Sequence, residues 1–501
     1  MTLLSFPIWL HYLNRIWERT PTPHRSLSAL ANLPTKQLPK FVQESEVALK
    51  YVQLLGMMDW SHFPDRPDQR FSPAEPPMPY APLVAAYLVK IDQHITYVAD
   101  LWQYLIENPA LIWVLGFLLS LSRTYPWGFD ARASLPTHRH LSRLLRTMPN
   151  DSLQFLLADT IGSIQRELPP EPRFGECISL DTKHIIAWVK ENNPKTYIEQ
   201  GRYDKTRQPA GDPDCRLGCK RKHNQRKKKD AVESLPADSP FEKVGEYYWG
   251  YGSGVVATKV ADWGEFVLAE LTQPFDHSDV SYFKPLMACV EQRLGFRPRF
   301  GAFDAAFDAF YVYEYFANAD PPGFAAVPFV ERGRKANRQF DPQGLPLCEA
   351  GLAMTPHYTY WCKTALIPHE RGRFVCPLIP PTNTGQVCPI QHTSWAKGGC
   401  ITTIATSPGS RLRYQVDRQS DAYKAVYKQR TATERVNSQA VAFGIERPKL
   451  RNGISIANHN TLTYVLINLH ALQRIRLRRR TKSVETETRQ TQAEASSKER
   501  A

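Results

Sequence analysis

The sequence predicts an α/β protein: a mixed sheet flanked by helices, preceded by a helical region and interrupted by a β-rich insertion. Three observations carry this. Two short apolar runs, Cys177-Ile178-Ser179-Leu180 and Phe300-Gly301-Ala302-Phe303, each read as a strand that delivers an aspartate at its end, Asp181 and Asp304. Tyr247 to Val260 and Glu265 to Leu271 carry the Tyr, Val and small residues of strands. Helical spacing at Ser278 to Leu294 and Asp308 to Ala317, followed by an apolar run from Phe324 to Val330, completes the order strand, strand, strand, helix, strand, helix, strand.

Taken in order, residues 1–45 show no sustained period and read as a loosely attached arm. The region 46–170 is helical. Apolar residues recur at three and four in Glu44 to Met58 and in Pro82 to Leu105, where Leu83, Ala86, Leu88 and Ile91 share a face. Pro64 to Pro79 is proline-rich and reads as an extended connector, and Leu141 to Ile164 as a further helix opened by the turn at Leu135-Pro-Thr. The core, residues 171–330, contains a basic loop at 191–237. Pro285 falls in the first turns of the 278–294 helix. The β-rich insertion spans 331–420 and the C-terminal helices 421–480, where Leu462, Val465, Leu466, Leu469 and Leu472 form a stripe that packs on the core. Residues 481–501 read as a disordered tail.

Sixty-three Lys and Arg against 49 Asp and Glu give a formal charge of +14, which favours a polyanionic partner. The longest apolar run, Ala110 to Leu121, falls short of the roughly 20 residues of a membrane span and reads as a buried helix. No export signal is legible, so a cytoplasmic protein without membrane contact is expected. Nine scattered cysteines are not the framework of a secreted disulfide domain.

The stretch Tyr427-Lys-Gln-Arg-Thr-Ala-Thr-Glu434 sets a phenol, a guanidinium and a carboxylate on one helical face, through steps of three and four at Tyr427, Arg430 and Glu434. Alone, it also describes a solvated face with an intrahelical ion pair. Together with Asp181 and Asp304, Glu434 makes a candidate metal-binding carboxylate triad. Asp308 competes with Asp304 for the second place, but is better suited to capping the helix that follows.

This order of carboxylates, with Tyr-x2-Arg-x3-Glu around the glutamate and the box Gly301-Ala-Phe-Asp-Ala-Ala-Phe-Asp308, resembles the DDE transposases of bacterial insertion sequences that carry a Y-R-E-K signature. The resemblance runs from about Val47 to about Arg478. It implies a ribonuclease-H-like core and two magnesium or manganese ions. Asp181 would bridge the ions, Asp304 and Glu434 would each complete one, Arg430 would bind a phosphate and Tyr427 would position DNA. It also implies double-stranded DNA partners, terminal inverted repeats held by the helical region and a target duplex, with a homodimer assembled on them. The position of the signature lysine is Val441, and Lys449 or Arg451 is the substitute. Two alternatives stand beside this: an inactive DNA-binding descendant, and a nuclease of the same fold that does not join strands.

Other residues carry open readings. Arg216 to Lys229 holds eight basic residues, Lys220 and Lys227 among them, and is either a solvated loop or a phosphate clamp. Cys215, Cys219 and His223 within it make an incomplete zinc pattern. In the insertion Cys348, Cys362, Cys376, Cys388 and Cys400 are spaced by 14, 14, 12 and 12, and are either core thiols or a zinc site drawn from Cys348, Cys362, Cys376 and Cys388. Trp361 and Trp395 are either core residues or platforms for an extruded base. Arg474 to Lys482 holds six basic residues that either contact flanking DNA or solvate a helix end.

Overall fold

A computed structural model of the 501-residue chain describes residues 27–30, 33–66, 78–171, 173–193, 204–221, 245–329, 338–379 and 383–498. The N-terminal part is helical, with α1 (Leu27–Leu30), α2 (Lys40–Gln43), α3 (Glu46–Leu55), α4 (Tyr80–Asp92), α5 (Val98–Glu107) and α6 (Pro109–Val114), then a short ladder of β1 (Ser120–Leu121) and β2 (Phe129–Asp130), then α7 (Ala131–Ser134), α8 (His138–Thr147) and α9 (Asn150–Glu167).

Local chemistry corrects several boundaries here. The expected 82–105 helix is two, because His94 turns left-handed (φ 54°) and the N–H groups of His94 and Ile95 return to the carbonyls of Ile91 and Lys90, closing α4. Pro149 divides the expected 141–164 helix into α8 and α9. The 110–121 run is helical only to Val114, after which Gly116 (φ 76°) turns the chain. The described part of the N-terminal arm is not loose: Leu27, Leu30, Leu38 and Val42 are buried in the main core. Most of the Pro64–Pro79 connector lies outside the described residues.

The core contains β3 (Cys177–Ile186), β4 (Arg216–Arg221), β5 (Gly245–Val260), β6 (Gly264–Pro274), α10 (Phe283–Leu294), β7 (Phe300–Ala302), α11 (Phe310–Ala317) and β8 (Phe324–Ala326). Pro285 is tolerated as the third residue of α10, where the amide it lacks would have had no partner in the helix. The 16-residue β5 is the hinge of the sheet. One edge pairs antiparallel with β3; along the other, residues 245–250 pair with β4 and residues 251–260 with β6. β7 then lies parallel to β3, and β8 parallel to β7. Part of the expected basic loop is therefore strand β4.

In the insertion β9 (Thr355–Cys362), β10 (His369–Val375) and β11 (Ile401–Ala405) form an antiparallel sheet with β10 central, followed by α12 (Gly409–Gln415). The expected β character holds. The chain ends in α13 (Asp421–Tyr427), α14 (Thr431–Ala442) and α15 (Gly453–Lys498). The expected disordered tail is largely a continuation of α15.

The last helix joins the two halves. Leu462, Val465, Leu466, Leu469 and Leu472 are fully buried, each worth about 1.5–3 kcal/mol of apolar burial. Asn458 donates to the carbonyls of Leu145 and Met148 at the end of α8, both at 2.9 Å, and Asn468 donates to Val267 of β6 and Thr160 of α9. Glu270 of β6 is buried between them, and accepts from Thr272 (2.6 Å), Thr461 (2.8 Å), Ser253 and Gln154. Among the described residues no helix is long and apolar enough to cross a membrane.

Candidate active site

The register of the parallel pair sets the first relation. Cys177, Ile178 and Ser179 stand opposite Phe300, Gly301 and Ala302, a constant offset of 123, so Asp181 and Asp304 fall at one level of neighbouring strands. Asp181 does not end its strand, as expected, but sits in the middle of β3, paired with Val255. Asp304 follows β7 after one residue, Phe303, and accepts from the backbone of Ala306 at 2.8 Å, capping the 3-10 turn 305–307.

Burial is the main cause that raises the pKa of Asp181, and the nearby Asp304 charge adds to it. The Thr182 backbone N–H at 2.9 Å, the charge of Arg430 and a hydrogen bond from Asn437 at 3.1 Å pull the other way.

A third aspartate joins them. Asp279 opens the 3-10 turn Asp279–Tyr282 ahead of α10, and burial, then the Asp304 charge, push it up to about 6, with Asp181 adding to the rise and Thr182 opposing it. Its signal in the sequence was slight, an aspartate just before a helix, which usually means a cap.

Glu434 lies on the exposed face of α14, paired at 2.5 Å with Arg430, whose charge acts on Asp181. The predicted single helix through Tyr427, Arg430 and Glu434 is α13 and α14 joined by a 3-10 turn, Lys428–Arg430. The three residues still meet, with the Arg430 guanidinium 5.9 Å from the Tyr427 ring centroid and Tyr427 stacked on Tyr423. One turn beyond Glu434 is Asn437, whose bond to Asp181 ties α14 to β3. Helical spacing of i+3 from the glutamate was the signal that could have found it. Among the described residues, no three His, Cys, Asp or Glu side chains stand close enough to hold a metal ion as they are.

Asp308 is not a cap. The N-cap of α11 is Ala309, without a side-chain bond, while Asp308 takes a two-pronged bond from Arg413 and another from Tyr313 at 2.8 Å. Its partner came from a helix 105 residues away, which spacing could not show.

Val441 is exposed on α14. The segment after that helix runs along the end of β3, where Ile186 and Trp188 donate to the carbonyls of Glu446 and Leu450. It brings Lys449 to 6.0 Å and Arg451 to 5.0 Å from the ring centroid of Trp188, which is 45% exposed. Arg451 also donates to the Trp188 carbonyl at 3.1 Å. Trp188 is an aromatic between cations that the sequence reading missed.

In the insertion the exposed aromatics lie on the edge strand β9: Tyr358, Tyr360 and Trp361, the last 58% exposed. Arg373 and Arg371 of β10 stand opposite Tyr358 and Tyr360. Trp395 is instead partly buried against the insertion's small apolar cluster, which favours the core alternative of the two readings open for it over the stacking platform. Lys220 lies on β4 across from Glu246. Lys227 and His223 lie outside the described residues, and Cys215 is buried, its thiol pushed up to about 12 by burial and Asp212. Arg476 and Arg479, of the terminal basic run, pair with Glu167 of α9.

No known family model matches this chain. No curated protein matches it either.

Proposed function

We propose that this chain is a DDE transposase with a ribonuclease-H-like core, which binds the ends of a mobile DNA element, cleaves them and joins them to target DNA. The observation that carries the reading is the levelling of Asp181 and Asp304 on parallel strands, with the helix of Glu434 fixed over them through Asn437. The sheet supports it: on one side of β3 lies antiparallel β5, with β4 and β6 antiparallel along its far edge, and on the other lie two parallel strands, each preceded by a helix.

The donor set fits a hard divalent cation. Burial raises the pKa of Asp181 and of Asp279, the Asp304 charge adds to both, and no lysine or arginine forms an ion pair with either among the described residues. Asp181, Asp304 and Glu434 would hold two magnesium or manganese ions, with Asp279 at the margin. The chemistry supplied by such ions is activation of water or a 3' hydroxyl and neutralisation of the departing oxygen.

The chain's own residues do the rest. Asn437 orients the Asp181 carboxylate, and Arg430 turns from Glu434 to a DNA phosphate. Tyr427 stacks or hydrogen-bonds beside the cut. Trp188, with Lys449 and Arg451, takes an unpaired base and its phosphates, the role left open by Val441. The Tyr358, Tyr360, Arg371 and Arg373 face of the insertion offers a second stacking surface. The charge of +14 suits duplex partners, and joining two ends in concert calls for a homodimer on DNA.

The test is a cleavage and strand-transfer assay with magnesium, using DNA that carries the inverted repeats flanking the coding region. Asp181→Asn, Asp304→Asn and Glu434→Gln should each abolish both reactions with DNA binding retained. Cuts without joints would indicate a nuclease. Binding without either reaction in the unmutated chain would indicate an inactive descendant.

A further inference from the structure

A cavity of about 130 Å³ opens where the N-terminal helices meet the end of the helix that carries Glu434 and Asn437. It is lined by Lys90 of α4, His94 and Thr96 in the turn that follows, Phe443 and Arg447 beyond α14, and His459 of α15. Its walls thus hold an ammonium, a guanidinium and two imidazoles, and no carboxylate. The acid two residues beyond Lys90 does not serve them, because Asp92 is taken up by Lys50, Tyr51 and His470.

Two of these groups are buried without the partners their chemistry calls for. Lys90 is 8% exposed, and its ammonium donates to the Ile95 carbonyl at 2.7 Å but has no ion-pair partner among the described residues. Burial draws its pKa down to about 8, against the pull of the Asp100 charge. His459 is 5% exposed, and its Nε2 is buried with no hydrogen-bond partner among the described residues. Burial, then the Lys90 charge, bring its pKa down to about 3, so the ring is neutral. An orphaned buried nitrogen and an unpaired buried ammonium each cost free energy that a bound anion would offset. The competing role for these cations is to neutralise the carbonyl ends of α4 and α14. Backbone amides already fill it: His94 and Ile95 donate to Ile91 and Lys90 at the end of α4, and Gly444 and Ile445 to Val441 and Ala440 at the end of α14.

We propose that this cavity binds a tetrahedral oxyanion, the phosphate group of a small phosphomonoester, through Lys90, Thr96, Arg447 and His459. The four donors stand on separate elements, so they approach from different directions, which suits the oxygens of a phosphate better than the two in-plane oxygens of a carboxylate. Lys90 brings a compact charge and Arg447 a planar fork, while the Thr96 hydroxyl and the His459 Nε2–H each donate a hydrogen bond. The cavity is well below the roughly 300–1,000 Å³ of pockets for drug-sized ligands, so it takes a phosphate and a small organic remainder and not a whole nucleotide. The parallel rings of His94 and Phe443, 5.6 Å apart between centroids, give that remainder a flat wall. A phosphate seated there ties α4 to the segment that leaves α14. The site does not rest on the transposase reading.

Isothermal titration calorimetry of the full chain with inorganic phosphate, at an ionic strength held constant with chloride, should show saturable binding at a single site. Methyl phosphate should compete with it, and acetate should not. Arg447→Gln, at an exposed position, and Lys90→Met should each weaken binding by about tenfold or more. Arg435→Gln, on α14 but paired with Glu265 instead, should leave it unchanged. Phosphate should remain bound when a short DNA duplex is added; displacement by the duplex would overturn the small ester as the source and give the site to a backbone phosphate. Absence of saturable binding in the unmutated chain overturns the proposal, as does binding unmoved by Arg447→Gln.

Discussion

Asn437 donates a hydrogen bond to Asp181 from 256 residues away, and through it the helix that carries Glu434 is keyed to the strand that carries the first aspartate. That bond opposes the effect of burial on Asp181. Asn437→Ala should therefore raise the Asp181 pKa further, moving the acid limb of the cleavage pH–rate profile upward. An unmoved limb with a lowered rate would mean that Asn437 acts through packing alone.

Asp279 yields a stability prediction. Its folded pKa, about 6, lies above the ordinary carboxylate value of 3.8, so between the two the folded chain keeps a proton that the unfolded chain has released. At pH below 3.8 the group is neutral. Stability is lost as pH rises from about 4 to about 6, and the loss persists above. Asp279→Asn should thus stabilise the metal-free protein by about 2–3 kcal/mol at pH 8 and by little at pH 4, in urea unfolding at the two pH values. Equal effects at both would remove the electrostatic account.

Asp308 is a structural anchor, its side chain nearly inaccessible and gripped by Arg413 and Tyr313. Removing one partner leaves a buried charge alone, so Asp308→Ala should cost about 3–5 kcal/mol of stability. The Asp308→Ala, Arg413→Ala double variant should cost less than the sum of the two single ones, as a double-mutant cycle would show. Additive losses would mean that the pair is not coupled.

Trp188 and its two cations should separate two contributions to DNA binding. Trp188→Ala should weaken single-strand affinity by about 1–3 kcal/mol with little change in salt dependence. Lys449→Gln and Arg451→Gln should each flatten the log–log salt slope on single strands by about 0.7. Fluorescence titration across a salt series reads both, and a salt slope changed by Trp188→Ala would sink the division of roles.

The sheet was legible because its strands have length or a polar residue at a telling place: the 16-residue β5 and the aspartate-ended runs needed no partner to be recognised. Boundaries failed where a single backbone unit decides, as at His94 and Pro149, or where a strand exists only by pairing, as β4 does on β5. Of the site, the two aspartates and the Tyr427–Arg430–Glu434 face were readable from spacing. Asp279, Asn437 and Trp188 were not, since each gains its meaning from a neighbour distant in sequence. The role given to Asp308 failed for the same reason, its arginine being 105 residues away.

The seating of α15 has a consequence for biosynthesis. The helix that closes both the N-terminal helices and the sheet is made after both of them, and its asparagines bond to groups more than 200 residues upstream. A nascent chain that has not yet released residues 453–475 from the ribosome presents open apolar surface on α9 and β6 and leaves the Leu145 and Met148 carbonyls without their asparagine. Completion of the N-terminal core should thereby wait until residues 453–475 have emerged. Fragments truncated before α15 should therefore be more readily proteolysed than the full chain.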